Sequence, residues 1–240
     1  MRFRPQLWPT LITVPAVVLC LVLGTWQVQR MGWKEAVIAA RTQRAAAPIA
    51  DIGDIANPDA FEYRRVRAKG VFLHDKERYL AARSLRGNTG YHVLTPLRLD
   101  DGGHVLVNRG WVPMAKKDPA SRAQGQIDGP VEVIGHLRHS QKPGWLAPEN
   151  KPSTGMWLWV DLAALGRDMG LPAIKPFFLE QAATDVPGGL PINGQARLEL
   201  PNDHLQYALT WYAFAVIGTV IYLLYHRRRP GAPSKPGTGA

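Results

Sequence analysis

The sequence contains a single cysteine, and the lack of others excludes several classes of protein. Because Cys20 is the one thiol among 240 residues, the chain holds no intrachain disulfide and no CxxC redox motif. The CxxCH motif is missing too, which excludes covalent attachment of c-type haem. A copper carrier needs soft sulfur ligands, and one cysteine with five scattered methionines disfavours that class.

Signatures of catalysis are also missing. The chain has no GxSxG nucleophile elbow and no glycine-rich phosphate loop leading into a helix. His136 and His139 lie in a predicted strand, where residues three apart point to opposite faces, so one ion does not easily reach both. His74, His92 and His104 are distant in sequence, and nothing in it brings them together. We therefore predict a protein that is not an enzyme and has no metal site in its soluble part.

Charge is absent from two long apolar runs, residues 7–28 and 205–225. As helices, runs of this length extend about 32 Å, close to the ~30 Å hydrocarbon thickness of a bilayer. We interpret both as transmembrane helices. The first run could instead be a cleaved signal peptide. It is longer than the usual apolar part of such a signal, however, and "LGTWQVQR" offers no small-residue cleavage site, which favours an uncleaved anchor.

Basic residues flank both runs. Arg2 and Arg4 precede the first, and the arginines at 227–229 follow the second, so both termini are predicted to be cytoplasmic and the central domain exported. The expected location is the inner cell membrane with a periplasmic domain, or the mitochondrial equivalent. The signal is weakened by four basic residues just after the first run: Arg30, Lys34, Arg41 and Arg44.

The net charge of +10 also reflects these basic residues that flank the apolar runs. With Lys235, the residues just named make ten of the 29 lysines and arginines, and all flank the predicted spans, where they meet anionic lipid headgroups. No nucleic-acid-binding motif accompanies them. The charge therefore indicates membrane lipid as a partner and not nucleic acid.

Between the runs, alternating apolar residues predict strands at 63–73, 77–85, 91–99, 104–112 and 131–139. "DDGG" predicts a hairpin, Gly135 indicates a bulge in the last of these strands, and residues 156–160 predict a short strand. Asp161 and Gly170 are typical of the two ends of a short helix, and "KEAVIAARTQRAAAP" predicts a helical continuation of the first run that Pro48 ends. The predicted fold is a membrane protein in which two transmembrane helices flank one exported α+β domain, mostly antiparallel β and barrel- or sandwich-like. Its predicted segments are a cytoplasmic N-terminus (1–6), helix one (7–28), the β-rich domain (29–203), helix two (204–225) and a disordered basic tail (226–240).

The segment "LVNRGWVP" (106–113) clusters unusual residues at the end of a strand. A structural interpretation gives Arg109 an ion pair, Gly110 a backbone conformation that alanine does not reach, and Trp111 a place in the core. A docking surface is the functional alternative. The chemistry of the residues alone favours the structural interpretation.

Helix two begins with a polar and aromatic segment, "PNDHLQYALTWY" (201–212). At 100° per residue, one sector of about 100° holds a stripe topped by histidine: His204, Tyr207, Ala208, Trp211, Ala215, Gly218 and Tyr222. Asn202 or Asp203 can cap this helix. "LGTWQ" places Gly24, Trp26 and Gln27 at the same outer surface of the membrane, so the two polar motifs meet if the helices pair. His204 then belongs either to an ordinary aromatic belt or to a ligand site, in which its neutral imidazole binds haem iron.

Four motifs in order, "LGTWQVQR", "GYHVLTPL", "VNRGWVP" and "PNDHLQYALTWY", resemble the surfeit locus protein 1 family of cytochrome c oxidase assembly factors. The match covers nearly the whole chain. The family pattern before the histidine is often Asn-Asn-His, and this chain has Asp203 at the second position.

The resemblance implies a protein that binds haem a and assists its insertion into subunit I of the oxidase, without turnover. It implies that His204 is the axial ligand, supported by Tyr207, Trp211, Trp26 and Gln27, and that no metal beyond haem iron is held. The remaining motif positions are Gly24, Arg30, Arg109, Gly110 and Trp111. The expected partners are oxidase subunit I and haem a synthase-type proteins. The alternative is a membrane scaffold that stabilises an oxidase assembly intermediate without binding haem.

Overall fold

The computed structural model describes residues 2–3, 5–141, 143–171, 173–196 and 200–228. The helices are α1 (Leu7–Ala46), α2 (Leu162–Asp168) and α3 (His204–His226). The strands are β1 (Arg2–Phe3), β2 (Ala50–Asp51), β3 (Arg65–Phe72), β4 (Arg78–Leu85), β5 (Asn88–Leu99), β6 (His104–Pro113), β7 (Pro130–His139), β8 (Ile174–Gln181) and β9 (Arg227–Arg228). They fall into two units, residues 1–39 with 200–240 and residues 40–199.

The first unit consists of α3 and most of α1, with the short antiparallel pair β1–β9. Both helices are long and apolar enough to cross a membrane. A core helix of a soluble protein is mostly buried, whereas the most apolar 18-residue windows of these two are 6% and 11% buried. The chain is therefore compatible with a membrane protein whose apolar helices flank a central domain.

Two details differ from the predicted segments. As expected from "KEAVIAARTQRAAAP", α1 continues beyond residue 28, and it ends at Ala46, before Pro48. The predicted disordered tail begins too early, because His226 still belongs to α3 and Arg227–Arg228 pair with Arg2–Phe3. The rest of that tail, from residue 229, lies outside the described residues.

The second unit is a mostly antiparallel sheet that closes into a barrel. The strand order is β2-β3-β7-β8-β6-β5-β4, and β3 also pairs with β5, so five strands form the closed ring. Within this sheet β2–β3 and β6–β8 are the parallel pairs. The predicted choice of barrel or sandwich is thus resolved as a barrel, and the "DDGG" hairpin joins β5 to β6 as expected.

Apolar side chains pack on both faces of this barrel. Alternate residues of the ring strands fill the interior: Val66, Ala68, Phe72, Leu97, Leu99, Val105, Val107, Val133, Leu137, Phe177 and Leu179. On the outer face, α2 packs with Trp157 against the residues of opposite parity, among them Leu94, Leu106 and Phe178. Because β6 is covered on both faces, it is buried along nearly its whole length.

The ends of α2 follow the prediction, and two other local predictions are wrong. Asp161 caps α2 by accepting a hydrogen bond from the Ala164 amide, and Gly170 follows the helix with a φ of +66°. No bulge occurs at Gly135, since β7 pairs without a register shift on both sides. The strand expected at 156–160 is reduced to isolated bridges, including Leu80 with Trp157.

Candidate functional site

The two long helices meet along a face of small residues. Ala208 and Ala215 are buried, and a Cβ atom added to Gly218 would lie 3.3 Å from the Val17 side chain. On α1, a Cβ atom added to Gly24 would lie 2.8 Å from Cε1 of Tyr212. Small side chains therefore let the helices approach closely, which is how helices associate where no water drives them together.

Hydrogen bonds along this face fix the register of the helices. The Thr10 and Tyr222 hydroxyl oxygens lie 2.7 Å apart, and those of Thr25 and Tyr212 lie 3.2 Å apart. Sliding either helix would break both contacts at once. The antiparallel pairing is therefore specified by tyrosines of α3 and threonines of α1.

His204 and Gln27 form the last contact of this series. Nδ1 of His204 lies 2.6 Å from Oε1 of Gln27, so the first residue of α3 is held against α1. Of the two residues predicted to cap α3, Asp203 occupies the N-cap position, but its side chain makes no capping hydrogen bond. The expectation that the two polar motifs meet when the helices pair is met by this contact.

Two aromatic side chains close in sequence to this contact are exposed. Trp26 is 52% exposed and Tyr207 is 55% exposed. A shallow groove of about 430 Å³ runs beside Trp26 and is lined by Leu21, Val22, Thr25, Trp26 and Gln29. These surfaces are apolar and free to contact lipid or a flat apolar ligand.

Trp211 lies below His204 on α3. Seven residues separate them, which is about 10 Å along the helix and within about 20° in direction. The Trp211 ring packs edge-on against Phe214, with centroids 6.2 Å apart. On α1, the Arg30 guanidinium stacks over the Trp33 ring, 3.9 Å from its centroid. Histidine, aromatic rings and a cation thus lie on the described surface of one helix pair.

The contact of Tyr212 with Gly24 was not predicted from the sequence. The predicted sector held Ala208 and Ala215, which lie on the contact face, but it omitted Tyr212 between them. The spacing from Ala208 to Tyr212 to Ala215, four and then three residues, is the pattern of two helices packed at a shallow angle. That spacing was the available signal.

Replacing Gly24 with isoleucine is expected to weaken the helix pair by about 1–3 kcal/mol, because the new side chain collides with the Tyr212 ring. Titrating SDS into detergent micelles, with tryptophan fluorescence as readout, measures helix separation. Gly32→Ile is the matched control, since a Cβ at Gly32 meets nothing within 4 Å. Equal midpoints for the two variants would contradict this account of the interface.

The motif residues of β6 lie in the other unit, where Arg109 occupies a buried ionic cluster. Arg109 Nη1 lies 3.4 Å from Oε1 of Glu77, and Arg122 Nη2 lies 2.7 Å from Oε2 of the same carboxylate. All three side chains are at most 2% exposed. Thr95 donates to Glu77, and the Arg109 guanidinium also lies 4.7 Å from the Phe72 ring centroid.

Two opposing effects act on Glu77. Burial on its own raises the pKa of this carboxyl, but hydrogen bonding with His74 and the bond and charge of Arg122, together with the charge of Arg109, lower the pKa from 4.5 to about 2. Burial lowers the pKa of Arg109 to about 10, against the opposing effect of Glu77, so Arg109 stays charged near neutral pH. The cluster is an ionised carboxylate held between two guanidinium groups, inside the domain.

Gly110 and Trp111 join β6 to the segment at 192. Gly110 has a φ of +116°, and its amide donates to Oδ1 of Asn108. Trp111 exchanges two backbone hydrogen bonds of 2.8 Å with Ile192, and its side chain is 6% exposed. The residues from Asn108 to Trp111 therefore each have a partner within the domain. Nothing in the sequence points to Glu77 or Arg122, which are 32 and 13 residues from Arg109.

The histidines of the barrel do not converge. His136 lies near Arg65 and Arg138, and burial followed by these two charges lowers its pKa. His139 lies 3.3 Å from Asp59, and His74 faces Glu77. Across the described ranges, no group of three or more His, Cys, Asp or Glu residues has the geometry to hold a metal ion.

Comparison with known proteins identifies similar chains. The profile of the SURF1 family matches residues 14–216. Surfeit locus protein 1 of Rattus norvegicus is 35% identical over 238 residues, covering 92% of this chain and 76% of the rat protein. The Homo sapiens protein of that name is 37% identical over 229 residues, with 88% and 74% covered. A SURF1-like protein of Monosiga brevicollis is 34% identical over 237 residues, with 92% and 88% covered.

Proposed function

Because this chain belongs to the SURF1 family, we propose that it is an assembly factor for cytochrome c oxidase that binds haem a and assists its insertion into subunit I. The family predicted from the four sequence motifs is confirmed by these comparisons. Family membership supports the role in oxidase assembly. The binding and transfer of haem a is the more specific part of the proposal, and it needs support beyond family membership.

The observation that carries this finer part is the contact between His204 and Gln27. It fixes an imidazole at the end of an apolar helix, with its Nδ1 occupied. Trp26, next to Gln27 in sequence, and Tyr207, three residues after His204, both expose their side chains. Neutral imidazole is a ligand of haem iron, and an apolar aromatic surface suits the macrocycle. Arg30, one turn beyond Trp26 on α1, is a cation suited to a propionate group.

The proposed setting follows from the two apolar helices. Both termini lie in the cytoplasm, and the barrel lies in the periplasm or its mitochondrial equivalent, as the flanking arginines favour. His204 then lies at the outer surface of the membrane. The protein works as a chaperone without turnover, receiving haem a from a haem a synthase-type protein and passing it to oxidase subunit I.

The test is spectral. Purified after co-expression with the enzymes of haem a synthesis, the protein is expected to carry a-type haem, and His204→Ala is expected to lose it. His104→Ala is the matched control, because His104 lies in β6 of the other unit, and this variant is expected to keep full haem. Full haem content in His204→Ala would refute the ligand assignment.

The second candidate is a scaffold that steadies an oxidase intermediate through the barrel without binding haem. Exposed apolar residues at the tip of the loop after β7 favour it, since Trp145 is 92% exposed and Leu146 is 76% exposed. This candidate expects normal oxidase assembly with His204→Ala and defective assembly when the exposed Trp145 and Leu146 are both replaced with serine. Oxidase content of membranes from the two strains separates the candidates.

A further inference from the structure

The geometry points to Gln27 as a positioning residue that keeps the proton of His204 on Nδ1, so that the lone pair on Nε2 is left to bind a metal centre. This inference rests on the proposed function, because the metal centre is the iron of the cargo haem. Gln27 itself does not touch the iron in this arrangement. It acts through the ring of His204.

The 2.6 Å contact, in which Oε1 of Gln27 faces the imidazole, is the observation from which we infer the position of the proton. A side-chain amide oxygen only accepts hydrogen bonds, so Nδ1 of His204 must be the donor to Oε1 of Gln27. A neutral imidazole carries one N–H group, and Nε2 is then the unprotonated nitrogen. In free histidine the Nε2–H tautomer is the more populated one, so without Gln27 a proton would have to leave Nε2 before ligation.

The helix pair holds Gln27 in place for this task. Thr25, half a turn earlier on α1, contacts Tyr212, and the neighbouring Gly24 lets the Tyr212 ring lie against the helix. These contacts fix the rotation and register of α1 relative to α3, and with them the position of Gln27 opposite His204. Metal-bound histidines usually donate their second N–H to a fixed acceptor in this way, which sets the tautomer and the ring orientation.

The choice of glutamine suits a carrier that must release its cargo. A carboxylate at this position would accept the same hydrogen bond and increase the basicity of the ring, which strengthens metal binding. The neutral amide orients the ring without adding a negative charge. Gln27→Glu therefore preserves the acceptor, whereas Gln27→Leu removes it and leaves an apolar side chain that a membrane helix accommodates.

The first experiment uses the full-length protein without haem, labelled with ¹⁵N-histidine in lipid nanodiscs. The His204 resonances are assigned by their loss in His204→Ala, and ¹⁵N shifts read the tautomer. We expect the Nδ1–H form in the wild type and Gln27→Glu, and a mixture dominated by Nε2–H in Gln27→Leu. A wild-type His204 in the Nε2–H form, or an unchanged tautomer in Gln27→Leu, would overturn the inference.

The second experiment measures haem loss from loaded protein to excess apomyoglobin. Gln27→Leu is expected to release haem a 10- to 100-fold faster than the wild type, the order of magnitude for loss of an outer hydrogen-bond partner of a ligand. Gln27→Glu should release it no faster than the wild type. Gln43→Leu, a change of the same residue type at an exposed position much further along α1, is expected to behave as wild type.

The two experiments separate this inference from the proposed function. If the wild type takes up no haem a but shows the expected tautomers, the proposed function fails and the assignment of the proton to Nδ1 stands. If the wild type binds haem a and Gln27→Leu matches it in tautomer and release rate, the positioning role fails and the proposed function stands.

Discussion

Replacing Gly110 with alanine is expected to unfold the barrel domain under conditions in which the wild type is stable. Gly110 has a φ of +116°, a region that side chains with a Cβ atom rarely adopt. An added Cβ would also lie 2.0 Å from the carbonyl oxygen of Ile192, which is backbone and cannot rotate away. Strain and overlap together should cost at least about 4 kcal/mol, a large share of the roughly 5–15 kcal/mol that stabilises a domain.

Gly102→Ala is the control that separates backbone strain from steric overlap. Gly102 has a φ of +82°, but an added Cβ there meets nothing within 4 Å. Its cost should stay near 1 kcal/mol, because alanine adopts this conformation with modest strain. Urea unfolding of the full-length protein in detergent, monitored by protease resistance of the barrel, compares the two variants. A Gly110→Ala protein no less stable than Gly102→Ala would disprove the close approach to Ile192.

Replacing Glu77 with glutamine is the second change expected to have a large effect. It leaves Arg109 and Arg122 buried with no negative partner among their contacts. Removing one member of a buried ion pair typically costs about 3–5 kcal/mol, because the remaining charge is desolvated without compensation. The urea midpoint of the barrel should fall accordingly.

The same carboxylate makes stability depend on pH. Its pKa is lowered from 4.5 to about 2 in the folded protein, so the folded state binds the proton less readily than the unfolded chain. The stabilisation is complete above pH 4.5 and is lost as the pH falls towards 2. The difference corresponds to about 3 kcal/mol. In the Glu77→Gln protein this part of the acid dependence should vanish.

Glu132→Gln is the matched control for the loss of an acidic partner. Glu132 pairs with Arg67 and Lys69 at 3.1 and 3.8 Å, but its side chain is 44% exposed. Exposed ion pairs contribute about 0–1 kcal/mol, since water screens them. If this variant lost as much stability as Glu77→Gln, burial would not be the reason for the effect at Glu77.

The elements that local pattern determines were predictable from the sequence. The alternation of apolar and polar residues located the five strands from β3 to β7 within about three residues. The length of the two uncharged apolar runs located both long helices. Capping chemistry placed both ends of α2. The closure of the sheet through β3 and β5 was not predictable, because it depends on pairing between strands with β4 between them in sequence.

The candidate site shows the same division. Helical periodicity placed His204 at the end of a stripe of aromatic and small residues on helix two. The predicted positions of the two helices in the membrane put Gln27 at the same depth as His204. The rotation of the helices that places Tyr212 on Gly24 depends on close packing, which a wheel drawn for one helix does not include. The partners of Arg109 were likewise hidden, because Glu77 and Arg122 come from distant segments with no motif of their own.

Closure of the barrel has a consequence for the edges of its strands. Each of the five ring strands is hydrogen-bonded on both sides, so none of them offers a template for pairing with another chain. The two end strands are protected differently. β2 has two residues, and β4 is covered where the Ala81 amide donates to the Trp157 carbonyl and Arg83 donates to the Leu158 carbonyl. The sheet is thus guarded against edge-to-edge aggregation with other chains.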